Sequence, residues 1–154
     1  MADPKTHLSA LFDADRALNK AEEAFLAAGP DNILSTELDN ATSEAFALGP
    51  SDEAEARLRR IADLAAQLEG PVAVAVILRL LDHDEPTVRV EAGEALLDVA
   101  YERFKEVARG VELLLERKHA GHSMRELPFV LAEVREPMPT QLLARFLGHP
   151  DAEV

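Results

Sequence analysis

Apolar and polar residues follow each other along the chain with the period of an α-helix, and glycine–proline pairs divide its first half into intervals. The pairs are Gly29-Pro30, Gly49-Pro50 and Gly70-Pro71, spaced 20 and 21 residues apart. Glycine ends a helix in the left-handed conformation, and proline is tolerated in the first turn of the next helix. Each interval therefore predicts one helix and its connection.

The apolar positions inside these intervals have helical spacing. The first stripe consists of Leu8, Leu11, Phe12, Leu18, Phe25 and Leu26. The second consists of Leu34, Leu38, Ala41, Ala45 and Leu48. The third consists of Ala54, Leu58, Ile61, Ala65 and Leu68, and Ser51 is its predicted N-cap. The acidic residues after Ser51 suit the positively polarised first turn of that third helix.

From Pro71 onward the pattern changes from single helices to helix pairs. The stretch "PVAVAVILRLLD" is rich in β-branched residues, but the chain offers no second strand to pair with it. We therefore expect a short buried helix from Pro71 to Leu81. A second helix should follow, with Asp84 or Glu85 as its cap and Pro86 in its first position. Its inner stripe is Val88, Ala92, Ala95, Leu96 and Val99.

Residues 78–99 contain a pattern made of Leu80, Leu81, Asp82, Pro86, Val88, Arg89, Ala92, Ala95 and Leu96. This pattern resembles that of a HEAT-like repeat, in which two antiparallel helices are joined by a tight turn. In that family the turn aspartate and the arginine after the valine bridge neighbouring repeats. The resemblance therefore implies that Asp82 and Arg89 are structural residues between repeats.

A partial second copy lies at the end of the chain. "RFLGHPDAEV", residues 145–154, aligns without a gap on "RLLDHDEPTV", residues 79–88, at an offset of 66 residues. That offset is two units of a length typical of helical-hairpin repeats. A degenerate unit fits between the two copies, with "VELLLERKHA" as its first helix and "SMRELPFVLAEV" as its second. Ser123 and Glu126 form the predicted capping box of that second helix, and Pro128 is expected to kink it.

The sequence thus predicts an all-α fold, a right-handed stack of antiparallel helix pairs, or HEAT-like α-solenoid, with an N-terminal helical cap. Residues 1–70 supply the capping helices, and residues 71–154 supply the repeats within one continuous domain. The last repeat is expected to be incomplete, because it stops at Val154 where its second helix should begin. Leu142, Leu143 and Phe146 should then be uncovered, which predicts self-association through the C-terminal repeat.

Composition narrows the classes of partner. The formal net charge of −13 disfavours nucleic-acid backbones and anionic membranes. The absence of cysteine excludes disulfides, thiolate metal sites and a cysteine nucleophile. No signal peptide is evident, and the longest apolar run is too short to span a bilayer, so a cytoplasmic location is expected.

Catalytic patterns are weak. The chain lacks G-x-S-x-G, and its seven glycines never cluster into a phosphate-binding loop, so we expect neither an enzyme nor a cofactor. One metal-like constellation places Glu112, Glu116 and His119 on one helical face, with His122 in the following turn. A solvated polar face explains the same residues and is favoured. His83 and His149 occupy equivalent turns, where a role at the preceding helix end is favoured over a pH-sensitive row.

The feature that points to a partner is an acidic belt. Residues 21–56 hold nine acidic residues and no Lys or Arg. The predicted function is a non-catalytic scaffold that presents this belt to a basic protein, although a charge run also serves solubility. The candidate binding residues are Glu37, Asp39, Glu44, Asp52 and Glu53. Two alternatives are an immunity or inhibitor-type protein that neutralises a basic toxin or enzyme, and a metal-binding or enzymatic protein that uses the Glu112–His122 cluster.

Overall fold

The computed structural model describes residues 3–134 and 137–151, with the backbone alone for residues 137–141. Within these ranges the chain forms seven α-helices and no strand, so the predicted all-α class is confirmed. The helices are α1 (Pro4–Leu26), α2 (Asp31–Ala47), α3 (Asp52–Ala65), α4 (Pro71–Leu81), α5 (Pro86–Glu116), α6 (His122–Ala132) and α7 (Pro137–Phe146).

Local signals in the sequence set several helix boundaries. The Ser51 hydroxyl accepts a hydrogen bond of 3.1 Å from the Ala54 N–H, and acidic residues fill the first turn of α3, as predicted. The helix predicted from Pro71 to Leu81 has those bounds. Pro86 begins α5, with Glu85 in the N-cap position. These boundaries depend on residues close together in the sequence, which is why the pattern alone predicts them.

The α5 helix is longer than predicted and contains a kink at Arg103. The backbone of Arg103 is non-helical, with φ −139° and ψ 57°. Its guanidinium donates to the Leu68 carbonyl at 2.9 Å and to Glu106 Oε2 at 3.2 Å. Glu106 Oε2 also accepts from the Gly70 N–H at 3.3 Å. The kink is thereby fixed to the connection between α3 and α4, and it divides α5 into two halves without a loop.

The helices pack as neighbouring pairs around α4. Contacts join α2 to α3, α4 to α5, α5 to α6, and α6 to α7, while α4 also contacts α2, α3 and α6. Seven of the eleven residues of α4 are buried, which explains its nearly continuous apolar sequence. The inner stripe predicted for α5 is buried throughout, and so is the stripe predicted for α3. Of the stripe predicted for α2, however, Leu48 follows the end of the helix and is exposed.

The predicted capping box of α6 is wrong. This helix begins at His122 after Gly121, so Ser123 lies inside the helix and not at its N-cap. The cap is supplied from another turn, because the Ser123 N–H donates to Asp82 Oδ1 at 2.9 Å. The Ser123 hydroxyl is buried without a hydrogen-bond partner among the described residues. Pro128 lies inside α6, which continues to Ala132.

The predicted exposure at the chain end is also wrong. Leu142 and Phe146 are each only 5% exposed, and Leu143 is partly buried against the core. The reason is that α7 packs against α5 and α6, and these two helices cover its apolar face. The premise for self-association through the C-terminal repeat therefore fails.

The uncovered helix is instead at the other end of the chain. Residues 3–21 are all exposed, and α1 has no buried residue. Only its last turn reaches the core, through the partly buried Phe25 and Leu26 and an ion pair between Glu22 and Arg60. The apolar stripe predicted for this helix consequently lies in solvent over most of its length.

Two glycines inside α5 provide a matched test of how closely α4 and α5 pack. A Cβ at Gly110 would lie 2.9 Å from Val74 Cγ1 and 3.1 Å from Leu78 Cδ1, whereas one at Gly93 would meet ordinary contacts of 3.8 Å or more. We expect Gly93→Ala to stabilise the protein by about 0.5–1 kcal/mol through helix propensity. Gly110→Ala should destabilise it by about 1–2 kcal/mol, because overpacking exceeds that gain. Chemical denaturation measures both, and equal effects would contradict the close packing.

Candidate protein-binding surface

Carboxylates line a shallow cleft of about 560 Å³ between α3 and α5. Four of them share one face of the first half of α5, because their spacing is close to whole helical turns. Like charges at such spacing repel and cost a few tenths of a kcal/mol per pair. We call the following residues the α5 acidic face: Asp63, Glu91, Glu94, Asp98 and Glu102.

Two of these carboxyl groups are close enough to share a proton. A hydrogen bond with Asp63, then burial, then repulsion by Asp63 and Glu94 raise the pKa of Glu91 from 4.5 to about 7, while Arg59 opposes the shift. Near neutral pH the carboxyl group of Glu91 therefore alternates between its protonated and its ionised form. A positive charge placed beside it would favour the ionised form.

Exposed apolar side chains flank the α5 acidic face. Tyr101 is 60% exposed, Val90 61% and Phe129, on α6, 74%. The Tyr101 hydroxyl donates to the Glu133 carbonyl at 3.1 Å, which holds this ring against the end of α6. Glu94 lines both the acidic cleft and the cleft that contains Val90 and Phe129, so the two clefts are neighbours. Aromatic anchors beside charged groups are common in protein-binding surfaces.

The acidic belt predicted from the sequence lies on α2 and the start of α3. Asp39 is paired with Arg79 at 3.2 Å, and that guanidinium also lies over the Phe46 ring at 4.8 Å. Glu53 is paired with Arg57 at 2.6 Å. The other candidates, Glu37, Glu44 and Asp52, are exposed, with no ion pair among the described residues. Two of the five belt candidates are thus already partly neutralised by arginines of the same chain. The same holds for two members of the α5 acidic face, since Asp63 lies 3.8 Å from Arg60 and Glu102 lies 3.9 Å from Arg103.

The turn between α4 and α5 is a junction for several polar groups. Asp82 accepts from the Ser123 N–H through Oδ1, and its Oδ2 lies 2.9 Å from His119 Nε2. Arg89 donates to the carbonyls of His83 and Asp84, at 2.8 and 2.7 Å. The Arg89 Nε also lies 3.9 Å from Glu126 Oε1 on α6. Asp82 and Arg89 therefore both reach α6 from the preceding helix pair.

The four residues of the metal hypothesis have other partners. Glu112 and Glu116 each lie within 4 Å of Arg109, at 3.7 and 3.9 Å. His119 is engaged by Asp82, and His122 Nε2 lies 3.3 Å from Asp84 Oδ1. No group of three or more potential metal ligands is assembled in the part of the chain that the structure describes. The structure does not bring these four side chains together as one site.

His83 and His149 make the same contact in their two turns. The Nδ1 atom of His83 accepts from the Glu85 N–H at 3.0 Å, and that of His149 accepts from the Asp151 N–H at 3.1 Å. The Nδ1 atom of each ring therefore binds the backbone two residues further along the chain. It does not bind the end of the preceding helix, which corrects the role that the sequence analysis favoured. His149 Nε2 also lies 2.7 Å from the His119 carbonyl.

An apolar groove of about 640 Å³ lies on another side of the molecule, between α4 and the second half of α5. Its floor includes Leu78, Leu113 and Gly110. Lys105 and Arg117 stand at its rim, and neither has an ion pair among the described residues. Leu113 is among the exposed large apolar side chains. This groove is therefore an apolar surface with basic edges, unlike the α5 acidic face.

Comparisons with protein-family models, with curated proteins and with solved structures found no match to this chain. In the described residues, no helix has the length and apolar character that crossing a membrane requires. Function is therefore inferred from the surfaces themselves.

The residues that sequence reasoning missed are the α5 acidic face, Tyr101 and Phe129. The sequence contains part of the pattern that indicates this face, because Glu91, Glu94 and Asp98 have helical spacing beside the buried stripe of α5. The contribution of Asp63 had no local signal, since it depends on how α3 packs against α5.

Proposed function

We propose that this protein is a non-catalytic interaction module that binds a basic protein through the α5 acidic face. The observation that carries the proposal is the carboxyl pair of Asp63 and Glu91, which lies among further carboxylates and beside exposed aromatic rings. Like-charge repulsion costs stability here. A lysine or arginine of a partner would relieve that repulsion, while Tyr101 and Phe129 would contribute apolar area.

We further propose that the helix pairs belong to a HEAT-like stack. Two observations support this architecture: the ungapped alignment at an offset of 66 residues, and the identical hydrogen bond of His83 and His149 in the aligned turns. In such a stack α2 and α3 form the first described pair, α4 and the first half of α5 the second, and the second half of α5 and α6 the third. Stacked helix pairs present extended surfaces suited to protein binding.

The test begins with affinity purification from the native source and continues with association kinetics on the captured partner. One variant neutralises the α5 acidic face with Glu94→Gln, Asp98→Asn and Glu102→Gln. A matched variant removes the same amount of charge from the belt with Glu37→Gln, Glu44→Gln and Asp52→Asn. We expect the first variant to slow association about tenfold at low ionic strength and to weaken its salt dependence, because the local field steers the encounter.

The matched variant distinguishes the two acidic surfaces. A larger effect of the belt variant would place the contact on α2 and α3. Unchanged kinetics in both variants would exclude electrostatic recognition by either surface.

Binding should also depend on pH. Since a cationic partner favours the ionised form of Glu91, whose pKa in the free protein is about 7, affinity should rise with pH through that value and level off about one unit above it. Asp63 and Arg59 on α3 and Glu94 on α5 are the charged groups that act on Glu91. The variant Glu91→Gln should flatten this profile, whereas Glu37→Gln should leave it unchanged.

A further inference from the structure

The largest uncovered apolar stripe in the described chain lies on α1. Leu8, Leu11, Phe12 and Leu18 are 38–60% exposed, although they share one helical face. Phe25 and Leu26, on the same side of the helix, already pack against the core. The exposed stripe therefore lies on the same face of α1 as the two residues that pack against the core, and it extends that face into solvent. In proteins most of the stability of a helix comes from packing of its apolar face, so a covering surface would stabilise α1.

The groove between α4 and α5 offers the complementary surface. Its floor is apolar, and the acidic groups at its rim are engaged within the chain, Asp39 by Arg79, Asp82 by His119 and Glu106 by Arg103. The cations Lys105 and Arg117 at the rim have no such ion pair in the part that the structure describes. The groove thus favours an amphipathic helix that carries a carboxylate.

The α1 helix has that chemistry. Asp15 lies on the face of the apolar stripe, four residues after Leu11 and three before Leu18. It is exposed and has no ion pair among the described residues. An apolar helix face with a central acidic residue matches a groove with an apolar floor and basic rim, which is the helix-in-groove mode of recognition.

We propose that α1 of one copy docks into the α4–α5 groove of a second copy, so that two chains exchange helices in a twofold-symmetric dimer. Each chain then supplies one helix and one groove, and the contact occurs twice, as closed symmetry requires. Two such contacts double the area of one, which helps to reach the roughly 1,200 Å² of a specific interface. Asp15 of each copy faces the cations at the rim of the other.

The test is sedimentation equilibrium of the full chain and of two variants with substitutions at exposed positions. The helix variant carries Leu11→Glu and Phe12→Glu, and the groove variant carries Leu113→Glu. We expect a concentration-dependent dimer for the unaltered chain. Each variant should raise the dissociation constant about tenfold or more, since a charge is placed in each apolar contact. Far-UV circular dichroism of the whole chain and thermal unfolding serve as folding controls.

Mixing the two variants distinguishes exchange from other modes of pairing. A mixed pair keeps one intact contact, between the α1 of the groove variant and the groove of the helix variant, so the mixture should associate more tightly than either variant alone. Charge reversal adds a check: Asp15→Lys should weaken the dimer, and Lys105→Glu with Arg117→Glu should restore it. A monomer at all concentrations, or a groove variant that dimerises as well as the unaltered chain, would overturn the proposal.

Discussion

Replacing Leu96 with alanine is expected to lower the free energy of unfolding by about 2–5 kcal/mol. Leu96 is fully buried in the inner stripe of α5, where the first half of that helix packs against α3 and α4. The loss combines the transfer of the missing methyl groups with the cavity left between helices that cannot collapse. Urea or guanidinium denaturation with linear extrapolation measures the change.

A nearby exposed position provides the control for this core substitution. Val90 lies on the same half of α5 but is largely solvent-exposed. Val90→Ala should change stability by about 0.5 kcal/mol or less, as is usual for surface substitutions. A loss below about 1 kcal/mol for Leu96→Ala would contradict the packing register of α5.

Removal of the Asp82 carboxylate should cost about 1–3 kcal/mol of stability. In Asp82→Ala the Ser123 N–H at the start of α6 loses its acceptor, and His119 loses its partner. The negative charge of Asp82 also interacts favourably with the positively polarised N-terminus of α6. Because a Cβ at Gly121 would lie 2.6 Å from Asp82 Oδ1, the close approach depends on that glycine. Thermal and chemical unfolding report the loss.

Two variants show whether the cap of α6 is the cause. Asp82→Asn retains a carbonyl acceptor and should lose less stability than Asp82→Ala. Asp84 lies in the same turn with a fully exposed side chain, so Asp84→Ala should have little effect. If the Asp84 and Asp82 variants behaved alike, the contact with Ser123 would not be the source of stability.

The sequence predicted the features whose causes are local. Ser51, Pro71 and Pro86 mark helix starts because capping and the fixed φ of proline act within one turn. The cap of α6 was mispredicted, because its acceptor, Asp82, lies 41 residues away from Ser123. The same limit applies to the raised pKa of Glu91, which depends on Asp63 in another helix.

The exposure predicted near Phe146 was wrong, and the exposure of the α1 stripe was not predicted, for one physical reason. Helical spacing shows which face of a helix is apolar, but not whether another helix covers it. The stripe of α1 and the stripe of α7 have similar patterns, yet Phe146 is covered by its neighbours while Phe12 is exposed. The contacts that each helix makes with its neighbours determine which of the two stripes is covered.

The two halves of α5 follow each other across the Arg103 kink without a loop, which has a consequence for how the protein unfolds. Arrays of repeats with only nearest-neighbour contacts can lose their terminal units first, because each unit has its own helices. In this protein both halves of α5 pack in the core. Val99, before the kink, and Val107, after it, are both buried. Residues of both halves belong to one buried apolar cluster, so melting either half would expose apolar surface of the rest. Residues from α2 to α6 should therefore exchange their most protected amide hydrogens in one cooperative event, while the amides of α1 exchange far earlier.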